Sequence, residues 1–338
     1  MARIPDDCRD VPAQAARWRS EGQDVALVTV TETWGSSPRP VGSLLAVAAD
    51  GRFTGSVSGG CIEAAAIEEA RKLLGGGQRK RIEYGVTNAA AWDVGLACGG
   101  RIELLIEPLA ADDPALDALV AALAGTGPVV LIKDLQSGAQ VVLRPGDENA
   151  PVPAPVRERA LSLLQQDGSR IAEIDGRELF FHVFAVPMRL IIVGAVQIGV
   201  TLAGMAELAG YDVCFVEPRR AFAERAEFRP YRTLTDWPDR AVGRLDPDGR
   251  TAVVALTHDP KLDDPALIAA LRSPAFYVGC LGSRRTHAAR RERLAALGVG
   301  ADAIDRIHGP VGLAIGAKSQ AEIAVSILAD LVRVRRGA

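Results

Sequence analysis

Sulfur and imidazole are scarce in this chain. Its 338 residues hold five cysteines (Cys8, Cys61, Cys98, Cys214 and Cys280) and four histidines (His182, His258, His287 and His308). The cysteines are odd in number, widely spaced and never in a C-x-x-C pair, so no disulfide framework is expected. The histidines show no zinc-ligand spacing. A basic excess is also missing: the net charge is -3 and the isoelectric point about 5.9. That argues against nucleic acid or an anionic membrane as a partner. No apolar run approaches the roughly 18 residues a membrane helix needs. The first residues, Met1 to Asp7, lack the charged stretch and apolar core of a signal peptide. The expected location is therefore the cytoplasm.

What is present suits a globular protein with a full core. Apolar residues make up 48% and charged residues 24%, and the length suits two domains. The first half mixes element types. Gln14–Gly22 reads as a short helix, and Asp24–Thr31 as a buried, β-branched strand. Strands near Ser43–Ala48 and Phe53–Val57 flank an Asp50-Gly51 hairpin signal. An Ala-rich helix over Ala64–Leu74, a strand at Arg101–Glu107 and a helix at Pro114–Leu123 follow. A hairpin spans Val129–Leu135 and Gln140–Leu143, Pro145–Pro155 reads as an exposed loop, and Glu178–Val186 as a strand.

From Arg189 the pattern changes to strand–helix alternation. Strands are predicted at Arg189–Val193, Asp212–Val216, Ala252–Leu256 and Ala275–Val278. Helices are predicted at Ile198–Ala209, Pro265–Leu271, Arg284–Leu297 and Gln320–Arg333. Such alternation implies a parallel sheet covered on both faces. The predicted architecture is an N-terminal α/β domain (1–187) followed by a C-terminal Rossmann-like, doubly wound parallel-sheet domain (188–338).

Ligands of such sheets bind beyond the carboxyl ends of the strands. Those ends read Gly194-Ala195-Val196-Gln197-Ile198-Gly199, then Glu217-Pro218-Arg219, then Thr257-His258-Asp259-Pro260, then Gly282-Ser283-Arg284-Arg285. Gly194 and Gly199 match the first and third glycines of a dinucleotide fingerprint, and Glu217 stands where an acid would bond a ribose hydroxyl. Val196 replaces the middle glycine that lets the backbone approach a pyrophosphate, which disfavours NAD(P). The alternative is a scaffold that no longer binds a dinucleotide. Ser283 and Arg284 open a helix and suit an anion, or are simply solvated. His258 and Asp259 could do acid–base work, or Asp259 could cap a turn beside an inert histidine.

In the first half, Ser58-Gly59-Gly60-Cys61 leads from a strand into a helix. A cysteine at a helix N-terminus is favoured as a thiolate, and Gly59 and Gly60 would let a ligand approach the backbone. The alternative is a small buried cysteine packing the turn. Cys98, before Gly99 and Gly100, has a similar glycine setting. Together the two cysteines suggest a soft-ligand, metal or redox site. Ser37 and Arg39, in the stiff turn Ser36-Ser37-Pro38-Arg39-Pro40, suit a phosphate-bearing ligand or a plain surface loop. Cys214 reads as strand core.

The chain resembles the XdhC/CoxI family of molybdenum-hydroxylase maturation factors. The matching stretches are W-G-S-S-P-R-P-V-G (Trp34–Gly42), S-G-G-C-I-E (Ser58–Glu63) and G-L-A-C-G-G (Gly95–Gly100). Further on they are T-H-D-P-K-L-D-D-P-A-L (Thr257–Leu267), G-S-R-R-T (Gly282–Thr286), P-V-G-L-A-I-G-A (Pro310–Ala317) and E-I-A-V-S-I-L-A (Glu322–Ala329). The resemblance implies a chaperone of the molybdenum cofactor, as molybdopterin or its cytosine dinucleotide form, and binding in place of turnover. It implies sulfuration by a cysteine desulfurase, delivery to an apo molybdenum hydroxylase, and a homodimer. It makes Cys61 the first and Cys98 the second candidate for contact with molybdenum. A nicotinamide-dependent oxidoreductase is the competing reading.

Overall fold

The computed structural model describes residues 7–35, 39–60, 62–85, 100–125, 127–148 and 150–337. Two compact units divide the chain, Met1–Val186 and Pro187–Ala338.

The first unit carries two antiparallel sheets. Its elements are α1 (Asp7–Ser20), β1 (Val25–Trp34), β2 (Leu44–Ala48), β3 (Phe53–Gly55), α2 (Glu63–Leu73), β4 (Lys80–Tyr84), β5 (Arg101–Pro108), α3 (Pro114–Leu123), β6 (Val129–Asp134), β7 (Gln140–Leu143), α4 (Ala154–Gln166), β8 (Arg170–Ile174) and β9 (Arg177–Phe184). The sheets run β3-β2-β1-β5-β4 and β7-β6-β9-β8. β1 is central and apolar on both faces, as its β-branched run requires. Val25 and Leu27 enter one core with Val11, Ala15 and Trp18 of α1 and Leu131 of β6. Ala26, Val28 and Val30 enter another with Ala66 and Ala70 of α2.

The second unit holds β10 (Met188–Val193), α5 (Gln197–Leu208), β11 (Tyr211–Val216), α6 (Arg220–Ala223), β12 (Arg232–Leu234), α7 (Pro238–Leu245), β13 (Thr251–Ala255), α8 (Pro260–Leu271), β14 (Tyr277–Cys280), α9 (Arg284–Ala296), α10 (Ala301–Asp305), β15 (Ile307–His308) and α11 (Gln320–Arg336). All six strands are parallel, in the order β12-β11-β10-β13-β14-β15. Counted within the unit this is 3-2-1-4-5-6, the Rossmann order, with its reversal beside β10. Helices α5 and α11 cover one face through Leu202, Ala206, Ile327 and Leu331. The other face packs on α7 and α8 through Val242, Leu245, Ala266 and Leu267. Cys214 lies in that second core, and burial pushes its thiol up to about 11. The predicted doubly wound architecture is what the second unit adopts.

Some elements differ from expectation. Helix α1 starts at Asp7, ahead of Pro12, and α8 starts at Pro260, ahead of Pro265. In α8 the Asp259 side chain accepts from Lys261 N, which fixes the start one turn before the proline that looks like a first helical residue. Helix α4 opens directly out of the Pro-rich stretch that reads as a loop, with Pro155 in its first turn. Strands β4, β8, β12 and β15 and helices α6, α7 and α10 are additions to the predicted elements.

Candidate functional site

Two glycine-framed stretches of the first unit leave and rejoin its five-stranded sheet at one end, and a third leaves the sheet there for α2. The register pairs Trp34, the last residue of β1, with Arg101, the first of β5. It pairs Leu45 near the start of β2 with Gly55 at the end of β3, and Tyr84 at the end of β4 with Ile102. The ends of β1, β3 and β4 and the starts of β2 and β5 therefore share this end. Contacts tie their feet together. A Cβ on Gly35 would lie 3.6 Å from the Gly100 Cα, and the Arg101 guanidinium sits 4.0 Å from the centre of the Trp34 ring. Arg39 Nε donates to the Ser56 carbonyl at 3.3 Å. Gly42, at φ +93°, has its carbonyl 2.8 Å from Nε2 of His182. A carbonyl only accepts, so Nε2 carries the proton. Burial, with the nearby Lys133 charge, pushes His182 down to about 3, so the ring is neutral at ordinary pH.

The turn into α2 is built around Glu63. Its carboxylate accepts from the backbone N–H groups of Val57 (3.2 Å), Ser58 (2.7 Å), Gly59 (2.8 Å) and Gly60 (2.6 Å). The hydroxyls of Ser56 (2.7 Å) and Ser58 donate to it as well. Ser58 Oγ in turn accepts from Ile62 N at 2.9 Å. Burial opposes the charge on Glu63, but the Ser58 and Ser56 hydroxyls and the backbone donors outweigh it and bring the pKa to about 2. Successive N–H groups curled in this way form an anion nest, and the chain fills it with its own carboxylate. Gly59 and Gly60 adopt φ +76° and +120° and are exposed. No atom of the described residues outside its chain neighbours lies within 4 Å of a Cβ placed on Gly60, so among them that backbone is open to an approaching group. Cys61, Cys98, Ser37 and Gly99 lie outside the described residues. Glu63 is not among the residues that sequence reasoning selects, because the neighbouring cysteine and glycines carry the stronger signal. The available cue is an acid opening a helix just after a serine–glycine turn.

In the second unit the strand tails gather beyond the carboxyl edge of the sheet. Gly194 makes its turn at φ +110°, and a Cβ there would meet Thr257 Cγ2 at 2.5 Å. A Cβ on Gly199 would lie 3.1 Å from Phe215 and 3.3 Å from Ile192, which is the close helix–strand approach. Val196 is extended, at φ -116° and ψ 159°, as the residue before α5. A side chain is comfortable there, and it stands where a pyrophosphate would need bare backbone.

Glu217 departs from its expected role. It is 0% exposed. Its carboxylate accepts from Ala195 N (2.9 Å), Arg219 N (2.9 Å), Arg219 Nε (2.8 Å) and Arg219 Nη2 (2.8 Å). Burial alone would raise its pKa, yet the Arg219 side chain and the two backbone donors hold it below the usual carboxylate range. A ribose hydroxyl has no free face of this carboxylate to meet. Asp259 caps α8 through Lys261 N at 2.9 Å, beside an exposed His258 at φ +61°. Ser283 caps α9 by accepting from Thr286 N at 3.1 Å, and Arg284 is exposed in the first turn.

Beneath these tails lies a cluster the sequence did not announce. Asp263, 1% exposed, accepts from Thr257 Oγ1 at 2.6 Å, and Cys280 Sγ lies 3.7 Å from it. Burial raises both of their pKa values. Arg290, 2% exposed, donates to the Leu281 carbonyl at 2.9 Å, while its Nε and Nη1 lack a partner among the described residues. Among the described residues, no three His, Cys, Asp or Glu side chains gather as metal ligands, and no helix is long and apolar enough to cross a membrane.

This architecture defines a class: a Rossmann-like unit joined to a unit of two antiparallel sheets, one of which gathers glycine-framed turns at a single end. The family model described as the XdhC Rossmann domain matches residues 190–331, and that of the XdhC and CoxI family matches residues 18–85. The molybdenum cofactor insertion chaperone PaoD of Escherichia coli K12 is 32% identical over 336 residues, spanning 99% of this chain and 91% of PaoD. A Bacillus subtilis 168 protein described as a probable xanthine dehydrogenase subunit is 26% identical, spanning 93% of this chain and 94% of its own. A crystallised protein of Bacillus halodurans, described as a xanthine dehydrogenase, shares the fold at a TM-score of 0.75 and 23% identity, over 96% of each chain. The chain belongs to the XdhC and CoxI family.

Proposed function

We propose that this protein is a chaperone that holds the molybdenum cofactor and delivers it to an apo molybdenum hydroxylase of the xanthine dehydrogenase or aldehyde/CO dehydrogenase type. The observation that carries this reading is the likeness to PaoD along 99% of the chain. In this reading the cofactor is molybdopterin or its cytosine dinucleotide form. A cysteine desulfurase supplies the sulfido ligand before delivery, and the chaperone works as a homodimer in the cytoplasm.

The donors proposed for the first unit suit such a group in part. Thiolates suit molybdenum–sulfur chemistry, so Cys61 and then Cys98 are the proposed contacts, with Gly59, Gly60 and Gly99 giving close access to backbone. The nest at residues 57–60 is already filled by Glu63, so phosphate binding falls to Ser37 and Arg39. Gly194, Gly199, His258, Asp259, Ser283 and Arg284 are proposed for a nucleotide portion, with Glu217 acting through Arg219. The bound group supplies the chemistry, and this chain supplies binding and orientation.

The test is anaerobic purification from a host that makes the cofactor, with pterin and molybdenum measured per chain. Near-stoichiometric pterin is expected in the wild type and its loss in Cys61→Ala, with circular dichroism unchanged. A wild type without pterin despite a confirmed supply defeats the chaperone reading. Undiminished pterin in the variant removes Cys61 from the site.

A further inference from the structure

A cavity of about 480 Å³ opens in the first unit, at the end of the five-stranded sheet away from Trp34 and Arg101. Arg79 ahead of β4, Glu107 near the close of β5, Asp113 before α3 and Lys133 of β6 line it with charge. Leu27, Leu109, Leu116, Leu119 and Leu131 give it apolar walls. Lys133 and Glu107 are only 3% and 7% exposed, and they form an ion pair. Taking two charges out of water costs more than their attraction returns unless further hydrogen bonds satisfy both. An ammonium has three donors and a carboxylate about four acceptor sites. Among the described residues each of these two side chains has one hydrogen-bond partner, namely the other. The rim repeats the pattern. Arg79 donates to the carbonyls of Asp134, at 3.4 Å, and Gln136, which fixes the guanidinium and leaves it donors to spare among the described residues. Asp113 caps α3 with Oδ1, which accepts from Ala115 N at 3.0 Å and Leu116 N at 2.9 Å.

Charge and shape together select the ligand. The lining balances two cations, Lys133 and Arg79, against two anions, Glu107 and Asp113. A simple anion would face the two carboxylates, and a simple cation the ammonium and guanidinium. A purely apolar molecule would seal the cavity and leave the buried pair short of hydrogen bonds. A zwitterion answers both signs, and the leucine walls favour an apolar body beside it. Small-molecule sites span about 300–1,000 Å³, which this cavity fits. We propose that it binds a free α-amino acid with a large apolar side chain. The ligand carboxylate lies toward Lys133 and Arg79, its ammonium toward Glu107 and Asp113, and its side chain against the leucines. The proposal stands apart from the molybdenum-cofactor reading, whose first-unit residues follow β1 and β3 or precede β5 at the other end of the sheet.

The test is calorimetric titration of the full chain with phenylalanine, leucine, glycine, 3-phenylpropionate and phenethylamine. Phenylalanine or leucine is expected to bind with a dissociation constant below about 1 mM. Glycine lacks the apolar body, 3-phenylpropionate the ammonium and phenethylamine the carboxylate, and each should bind about tenfold more weakly or worse. Two variants place the site. Lys133→Met with Glu107→Leu replaces the buried pair by apolar groups of similar size, an exchange that leaves a fold as stable or more so, and it should weaken amino-acid binding about tenfold or more. Gln140→Trp, at a half-buried position of β7 that lines the cavity, should abolish binding by filling it. Thermal melts establish that both variants are folded. The proposal is overturned if neither amino acid binds, if phenylpropionate or phenethylamine binds as well as phenylalanine, or if either folded variant keeps full affinity.

Discussion

At the scale of single residues, Glu63 shows how a carboxylate shapes a loop it does not chemically serve. It gathers four N–H groups and two hydroxyls within seven residues. Each buried donor left unpaired costs about 1–3 kcal/mol, while donors that regain water cost much less. With Gly59 and Gly60 exposed, Glu63→Ala is expected to lower stability by about 3 kcal/mol in chemical denaturation. Glu63→Gln, which keeps one acceptor oxygen, should lose less. An alanine variant as stable as the wild type would show that the turn holds itself. Because its pKa falls from 4.5 to about 2 on folding, the carboxylate contributes fully above pH 4.5. That contribution is lost as the pH falls toward 2.

At the scale of elements, the tightest demands fall on the β10–α5 turn. Gly194 combines a positive φ with a Cβ position 2.5 Å from Thr257, whereas a Cβ on Gly199 meets the Phe215 and Ile192 side chains at 3.1 and 3.3 Å and the Gly194 carbonyl oxygen at 3.4 Å. Gly194→Ala is therefore expected to cost about 2–4 kcal/mol, from backbone strain and overpacking together. Gly199→Ala should cost about 1 kcal/mol or less, since alanine's better helix propensity offsets the crowding. Equal melting temperatures for the two variants would contradict this. The same turn was legible in the sequence, as were β1 and the parallel alternation, because apolar runs bounded by glycine carry their own signal. Several of the unread elements fail that condition. β4 (KRIEY) is mostly charged and lies at a sheet edge, β12 has three residues, and α4 and α7 begin at prolines that resemble loop. At the candidate sites the cysteines and glycines stood out, but the Glu63 nest, the inward turn of Glu217 and the Asp263–Cys280–Arg290 cluster depend on side-chain direction, which spacing does not encode.

At the scale of the whole molecule, one buried and two half-buried imidazoles set an acid limit. Burial holds His182, His287 and His308 below their ordinary pKa. A histidine depressed on folding contributes stability that is complete above its unfolded value and declines as the pH drops beneath it. For His182, with an ordinary value of 6.5 and a folded value of about 3, the slope is about 1.4 kcal/mol per pH unit between those limits. Denaturant midpoints should fall steadily from pH 7 to 5, and His182→Gln should flatten part of that slope. An unchanged slope in the variant would place the sensitivity elsewhere. The five-stranded sheet has a different consequence for descent. Paired strands fix both feet of two of its glycine-framed stretches and the start of the third, so these stretches can be rewritten without disturbing the register beneath. A lineage built on this frame can change what it binds by small insertions and exchanges at one rim, while the ancestral scaffold stays as it is.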